Sequence, residues 1–130
     1  MTDLVSQNLN MIFKTPKGET VHALKDLNFT LKKGELLTVL GPSGCGKTTL
    51  LNIAAGFIRP TSGNITLNNK EIDGPGVERG MVFQQGALFE WLTVAENVNF
   101  GLRMKKEDPI KTQKKVDEWL EIVGLKGFGN

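Results

Sequence analysis

The first half of the chain alternates apolar and polar residues in short runs, which is the pattern of strands with one buried face. The alternation covers residues 4–13, is clearest over residues 27–31, and returns over residues 64–67. Turn-forming residues separate these runs at 15–18 and at 60–63. We therefore predict three strands here, and the period of two in the second run favours a half-buried antiparallel strand.

Two shorter runs lack this alternation and are mainly apolar. Residues 36–40 predict a buried strand of the kind found in parallel sheets, and residues 81–83 predict a short strand that ends at Gln84. A helix-compatible run, residues 49–55, follows the first and closes at Gly56. A strand, a connecting loop and a helix in this order predict an α/β core.

The last third of the chain has helical signals. Thr93 followed by Glu96 is a capping box, which predicts a helix beginning near Val94. Asp108 followed by Pro109 supplies an N-cap and a first-turn proline for a second helix. The residues predicted to share the buried face of this second helix are Val116, Trp119, Leu120 and Val123.

The segment between the predicted buried strand and its helix carries the clearest chemistry. It reads G-x-x-x-x-G-K-T, and its glycines let backbone N–H groups approach phosphate oxygens at a helix N-terminus. Lys47 can reach the β- and γ-phosphates of a nucleotide, and the Thr48 hydroxyl can bind Mg²⁺. The candidate nucleotide-binding residues here are Gly41, Pro42, Ser43, Gly44, Cys45, Gly46, Lys47, Thr48 and Thr49.

Composition narrows the class of protein further. The chain has 130 residues, enough for one small domain, with 39% hydrophobic and 23% charged residues. Its net charge of +2 does not indicate a nucleic-acid partner. The N-terminus lacks a basic segment followed by an apolar core, and a single cysteine fits a reducing compartment, so we expect a cytosolic chain.

The loop, Gln84 and the spacing between them resemble the ATP-binding subunits of ABC transporters. The phrases at 40–51, 60–63 and 92–98 are similar to that family as well. The resemblance implies an α/β P-loop NTPase fold of the ABC type, with an N-terminal antiparallel β subdomain and the start of a RecA-like core. On this basis residues 1–84 form the β subdomain and phosphate-loop core, and residues 85–130 begin a helical subdomain.

The resemblance also implies site residues outside the loop. Phe13 would stack on adenine, where the family more often has tyrosine, and core packing is the alternative for its ring. Gln84 would contact Mg²⁺ and the attacking water, which makes Thr48 and Gln84 the metal candidates and Gln84 the catalytic candidate. Residues 85–92 would face a coupling helix of the membrane partner, although their apolar side chains could equally belong to a helical core.

The same resemblance implies ATP and Mg²⁺ as cofactors and a peripheral place on the cytoplasmic face of the membrane. The implied partners are a transmembrane permease, a second ATP-binding subunit in a homodimer, and indirectly a solute-binding protein. Residues 74–84 and Trp91 resemble the subgroup that serves taurine, alkanesulfonate and nitrate importers. This subunit does not choose the solute in the family, so the resemblance indicates the solute only indirectly.

Several family elements have no counterpart between residues 1 and 130. These are the serine-glycine-glycine signature, the strand that carries aspartate and the catalytic glutamate, and the switch histidine; His22 precedes the loop and is predicted to lie on the surface. We therefore expect the N-terminal part of a longer transport ATPase, inactive in hydrolysis by itself.

Two other classes of protein are compatible with the sequence. A different P-loop enzyme is one, although the guanine-reading Asn-Lys-x-Asp pattern ends in isoleucine at Ile72 and an arginine-rich lid is not evident. A non-catalytic nucleotide-binding module is the other. Base preference and nucleotide turnover distinguish these classes.

Overall fold

The structure, a computed structural model, describes residues 3–129. Contacts divide the chain into two compact units, one ending at Met81 and the other beginning at Val82. No helix among residues 3–129 is long and apolar enough to cross a membrane. The elements in chain order are β1 (Leu4–Lys14), β2 (Thr20–Leu31), α1 (Lys47–Ala55), β3 (Ser62–Leu67), β4 (Lys70–Glu71), α2 (Val94–Met104) and α3 (Pro109–Ile122).

The four strands of the first unit form one antiparallel sheet in the order β2-β1-β3-β4. Leu4 at the start of β1 pairs with Leu31 on one side and with Leu67 on the other. The three alternating runs of the sequence are therefore confirmed as strands, and β4 adds a two-residue edge. β1, β2 and β3 direct apolar side chains to one face, where they meet a helix.

Helix α1 covers that face of the sheet. Leu50 and Ile53 of the helix are buried in one cluster with Leu9, Ile65 and Ile72 of the first unit. The helix ends at Gly56, whose φ of 83° is the left-handed conformation of a helix C-terminus. This packing fixes the first turn of α1, and with it the end of the candidate loop, against a rigid sheet.

The predicted strands at 36–40 and 81–83 do not form. Both segments lie outside the four-stranded sheet, and the side chains of Leu36 and Val82 are 91% and 97% exposed. A buried parallel strand needs hydrogen-bonded neighbours on both sides, whereas every pair in the described sheet is antiparallel. The local apolar pattern therefore mispredicts both segments in this chain.

In the second unit, α2 and α3 pack against each other through Leu102, Val116 and Leu120. Both predicted helix starts are confirmed, with α2 capped by Thr93 and α3 by Asp108. The predicted face of α3 is partly wrong.

Trp119 and Val123 are exposed, and Thr112 is buried in their place. The Thr112 hydroxyl donates to the carbonyl oxygen of Asp108 at 2.7 Å, so its polar group is satisfied inside the helix.

Candidate functional site

The candidate loop connects an irregular segment to the first turn of α1, and its glycines have conformations that other residues avoid. Gly44 and Gly46 have φ values of 78° and 96°. A Cβ at Gly46 would lie 2.3 Å from the carbonyl oxygen of Ala23 and 3.1 Å from Cδ2 of Leu24. Residue 46 therefore has to be glycine for α1 to begin this close to β2.

Lys47 is folded back over this loop. Its Nζ donates to the carbonyl oxygens of Gly41 at 2.8 Å and Pro42 at 2.7 Å, and it lies 3.4 Å from Sγ of Cys45. The backbone N–H of Cys45 donates to the carbonyl oxygen of Pro42 at 3.4 Å, which closes the turn. The loop thus surrounds one ammonium group, and Lys47 is only half-buried.

The N-terminus of α1 is open. Its N-cap is Gly46, with no side-chain hydrogen bond to the helix, and its first turn has no acidic residue. The backbone N–H groups of Lys47, Thr48 and Thr49 therefore lack a side-chain acceptor, and the positive end of the helix dipole faces the loop. The ammonium, these N–H groups and the exposed Thr48 hydroxyl can each donate to an oxyanion, so the residues present fit a phosphate group.

The same residues do not form a metal site by themselves. Within residues 3–129, no group of three His, Cys, Asp or Glu side chains lies close enough to hold a metal ion. Mg²⁺ in phosphate sites commonly takes few protein ligands and several from phosphate and water. The Thr48 hydroxyl fits the role of such a single ligand.

The other predicted site residues lie on different elements. Phe13 is on β1 beside the first hairpin turn, and its ring is 42% exposed, so it is not a core residue. His22 is exposed on β2, as predicted. Gln84 is exposed and belongs to the second unit, as do residues 85–92. The structure thus gathers residues 41–49 into one site within the first unit.

The segment at 85–92 has an apolar surface. Leu88 and Trp91 are 74% and 79% exposed, whereas Phe89 between them is half-buried. Asn97 of α2 makes three hydrogen bonds to this segment and a fourth to Thr93, a role that no sequence motif indicated. The only sequence signal was its place on the first turn after the capping box.

Comparison with known proteins decides the family. The profile described as ABC transporter matches residues 24–130, most of the chain. The chain belongs to the ABC transporter family. This family binds nucleotide, and the match includes the whole loop with Lys47 and the helix that follows it.

Two similar proteins carry the name taurine import ATP-binding protein TauB. One, from Pelagibacter ubique, is 88% identical over 130 residues, which are 100% of this chain and 49% of that protein. Another, from Roseobacter denitrificans, is 59% identical over 128 residues, which are 98% of this chain and 48% of that protein. The chain thus spans about half the length of the curated relatives it matches. The ABC-family resemblance and its taurine-importer subgroup are confirmed.

Solved structures agree with the fold. A dimeric ATP-binding cassette in a post-hydrolysis state, bound to ADP and Pi, is 31% identical with a TM-score of 0.80 and covers 98% of this chain and 60% of its own. A dimeric bacterial ABC transporter cassette, also 31% identical, has a TM-score of 0.81 at the same coverage. The predicted ABC-type α/β class with an N-terminal antiparallel sheet is confirmed.

Proposed function

We propose that this chain forms the N-terminal part of the ATP-binding subunit of an ABC importer, in which ATP binding and hydrolysis drive solute uptake. The observation that carries the proposal is the ammonium of Lys47, held within 2.8 Å of two loop carbonyls beside an uncapped helix N-terminus. The donors gathered here, open to solvent, suit the β- and γ-phosphates of a nucleotide. Family membership supports the nucleotide as the ligand.

Each residue has a proposed role in nucleotide binding. The N–H groups of the α1 first turn and Lys47 bind the phosphates, and the Thr48 hydroxyl supplies one ligand to Mg²⁺. Phe13 stacks on adenine, which its exposed ring permits. Gln84 orients the attacking water and contacts Mg²⁺ through its amide. The proposed boundary between the loop core and the helical subdomain follows Gln84.

We expect the chain by itself to bind Mg-ATP without measurable turnover. The amide of Gln84 can orient a water molecule but cannot take its proton, so it does not act as a general base. A phosphate-release assay on the purified chain checks this. A rate that disappears in a Lys47→Ala variant would contradict the expectation.

The relatives point to taurine as the proposed solute. Two proteins at 88% and 59% identity are named for taurine import, and the cassettes of similar fold are dimeric. We therefore propose assembly with a second ATP-binding subunit and with a permease on the cytoplasmic face of the membrane, with residues 85–92 facing the permease. A solute-binding protein takes part indirectly.

A chimera tests the proposed function. Residues 1–130 replace the matching half of the Pelagibacter ubique relative, and taurine uptake is measured in cells that lack that relative. Uptake is expected with the wild-type segment and not with Lys47→Ala, while Lys17→Ala, an exposed turn lysine, serves as the matched control. Failure of the wild-type chimera at normal protein levels would refute the importer role.

Nucleotide choice is tested separately on the chain alone. Fluorescent ATP and GTP analogues are titrated in the presence of Mg²⁺. A preference for GTP would favour a different P-loop enzyme, because the proposed importer role requires ATP. Stacking on Phe13 does not by itself select adenine over guanine, since it forms no hydrogen bonds to the base.

A further inference from the structure

The carboxamide of Asn97 is bonded to the loop that precedes its own helix. Its Oδ1 accepts the backbone N–H of Phe89 at 2.8 Å, and its Nδ2 donates to the carbonyl oxygen of the same residue at 3.1 Å. Nδ2 also lies 3.0 Å from the carbonyl oxygens of Leu92 and Thr93. One side chain therefore satisfies both backbone groups of Phe89, as a neighbouring strand would, and shares two N–H donors among three carbonyls.

The ring of Phe89 is held from the same helix. Its centroid lies 4.5 Å from the ring of Phe100, with an interplanar angle of 44°. Phe100 is three residues after Asn97 on α2, so the two side chains share a helix face. Asn97 thus fixes the backbone of Phe89, and Phe100 fixes its ring.

Anchoring Phe89 determines what its neighbours present to solvent. Leu88 and Trp91 are exposed on either side of it, and the Trp91 ring contacts the Phe89 ring at 5.3 Å between centroids. An apolar cavity of about 450 Å³ opens beside them, with Val98 and Leu125 in its lining. The loop has no strand partner in the described sheet, so it is held by side-chain bonds from α2 together with its own backbone bond from Leu92 N–H to the carbonyl oxygen of Phe89 at 3.0 Å.

We propose that Asn97 is a positioning residue for permease docking, because its carboxamide holds residues 88–92 in the shape that presents Leu88 and Trp91. The inference rests on the proposed function, which supplies the permease as the partner. The partner chemistry that fits is an apolar protein segment, because the exposed side chains are apolar and aromatic. Asn97 itself stays under the loop and does not need to touch the permease.

The first experiment measures the loop without any partner. Amide hydrogen exchange is followed in the whole chain for wild type and for Asn97→Ala, which removes the Oδ1 acceptor of the Phe89 N–H together with both N–H donors. Exchange at the Phe89 amide is expected to be at least about tenfold faster, with α3 amides unchanged. The matched control is Gln113→Ala, the same truncation of an amide side chain on α3, where Gln113 bonds only to Asp117 among the described contacts.

Equal protection of the Phe89 amide in wild type and Asn97→Ala would overturn the inference. If Asn97→Ala lowers the helical content of the chain, Asn97→Leu decides the question, because it removes the same polar atoms, keeps the bulk of the side chain and favours a helix. Faster exchange confined to residues 88–93 in that variant supports the inference, and unchanged exchange overturns it.

The second experiment measures binding of the chain to the membrane subunit of the Pelagibacter ubique taurine importer in lipid nanodiscs. Asn97→Ala is expected to bind at least about tenfold more weakly, with Mg-ATP affinity unchanged and Gln113→Ala equal to wild type. Undiminished permease binding by a variant whose loop exchanges freely would overturn the positioning role. If the wild-type chain itself does not bind the permease, the proposed docking partner is wrong, while the exchange experiment still decides whether Asn97 holds the loop.

Discussion

Helix α1 begins with a glycine, no capping side chain and no acid in its first turn, whereas α2 begins behind Thr93 and carries Glu96 three residues later. In α2 the two side chains satisfy each other's backbone groups, with Thr93 N–H to Glu96 Oε2 at 2.8 Å and Glu96 N–H to Thr93 Oγ1 at 3.2 Å. Helix α3 is likewise closed by Asp108, whose Oδ1 accepts the N–H groups of Ile110 and Lys111.

The difference shows how one chain can use the same backbone feature in two ways. A helix N-terminus always has free N–H groups and a partial positive charge. Where the chain supplies its own oxygen, at α2 and α3, the helix end is stabilised and chemically closed. Where it supplies glycine, at α1, the same groups stay available to an external oxyanion, and the tight packing of Gly46 on Ala23 keeps them in place.

Removing the Lys47 ammonium, beside the uncapped N-terminus of α1, should have the largest effect on nucleotide binding. We expect Lys47→Ala to weaken Mg-ATP binding by about 2–4 kcal/mol, because a charge-assisted contact is lost. This corresponds to roughly 30- to 1000-fold in Kd. A titration with a fluorescent ATP analogue measures it, and Lys17→Ala should bind as wild type. Equal affinity of Lys47→Ala and wild type would exclude this loop as the site.

Substituting the glycine at the start of α1 should damage the first unit. Gly46→Ala puts a Cβ against the Ala23 carbonyl in a left-handed conformation, and we expect a loss of about 2–3 kcal/mol in the free energy of unfolding. Gly44→Ala has the same sign of φ but open space around it, so about 1 kcal/mol is expected. Urea unfolding of the two variants compares them. Equal losses would show that the contact with Ala23 is unimportant.

An acidic residue introduced into the first turn of α1 should make its uncapped N-terminus resemble the capped N-terminus of α2. Thr49 has the same position in α1 as Glu96 has in α2, the third residue of the helix. Thr49→Glu should weaken Mg-ATP binding by roughly tenfold through repulsion of the phosphates, and stabilise the helix by about 0.5 kcal/mol through the dipole. Thr49→Gln is the neutral control. Stronger nucleotide binding by the Glu variant would contradict a phosphate at this end.

The smallest expected effect is at the capped N-terminus of α2, where stability should depend on pH. Hydrogen bonds from the backbone N–H of Thr93, and then from its hydroxyl, hold the pKa of Glu96 below its ordinary value. Because the folded pKa is the lower one, the stability that ionised Glu96 contributes is present above its unfolded pKa. It is lost as the pH falls through the folded pKa.

Urea midpoints at neutral and acidic pH measure this dependence, with Glu96→Gln as the control that cannot titrate. The pKa of Glu107 is also lowered, by the Lys115 hydrogen bond, and that effect is common to both proteins. A pH dependence that is identical in wild type and Glu96→Gln would show that the capping carboxylate contributes nothing.

The sequence predicted correctly the elements that depend on contacts between residues close together in the chain. The capping box at Thr93, the proline after Asp108 and the alternation of residues 27–31 all depend on neighbours a few positions away. The candidate loop rests on the same kind of signal, since its glycines and Lys47 lie within eight residues, and its phosphate-binding role stays a prediction. The close contact between Gly46 and Ala23 could not be predicted from the sequence, because β2 approaches the loop only in the folded sheet.

Prediction failed where a segment depends on distant partners. An apolar run such as residues 36–40 indicates burial, but whether it becomes a strand is decided by the strands available to pair with it. Thr112 shows the reverse case, since a polar residue takes a core position of α3 by donating to the Asp108 carbonyl. The role of Asn97 could not be predicted, because its partners are backbone groups, which every residue has.

The contacts of Lys47 have a consequence for which anions the loop accepts. Its ammonium is already satisfied by the carbonyl oxygens of Gly41 and Pro42. An entering anion must compete with these oxygens, so its net gain is the difference between two sets of acceptors. A weakly accepting ion such as chloride gains little by displacing them, whereas a phosphate brings several charged oxygens at once. We therefore expect the loop to favour phosphate over chloride, through acceptor strength alone.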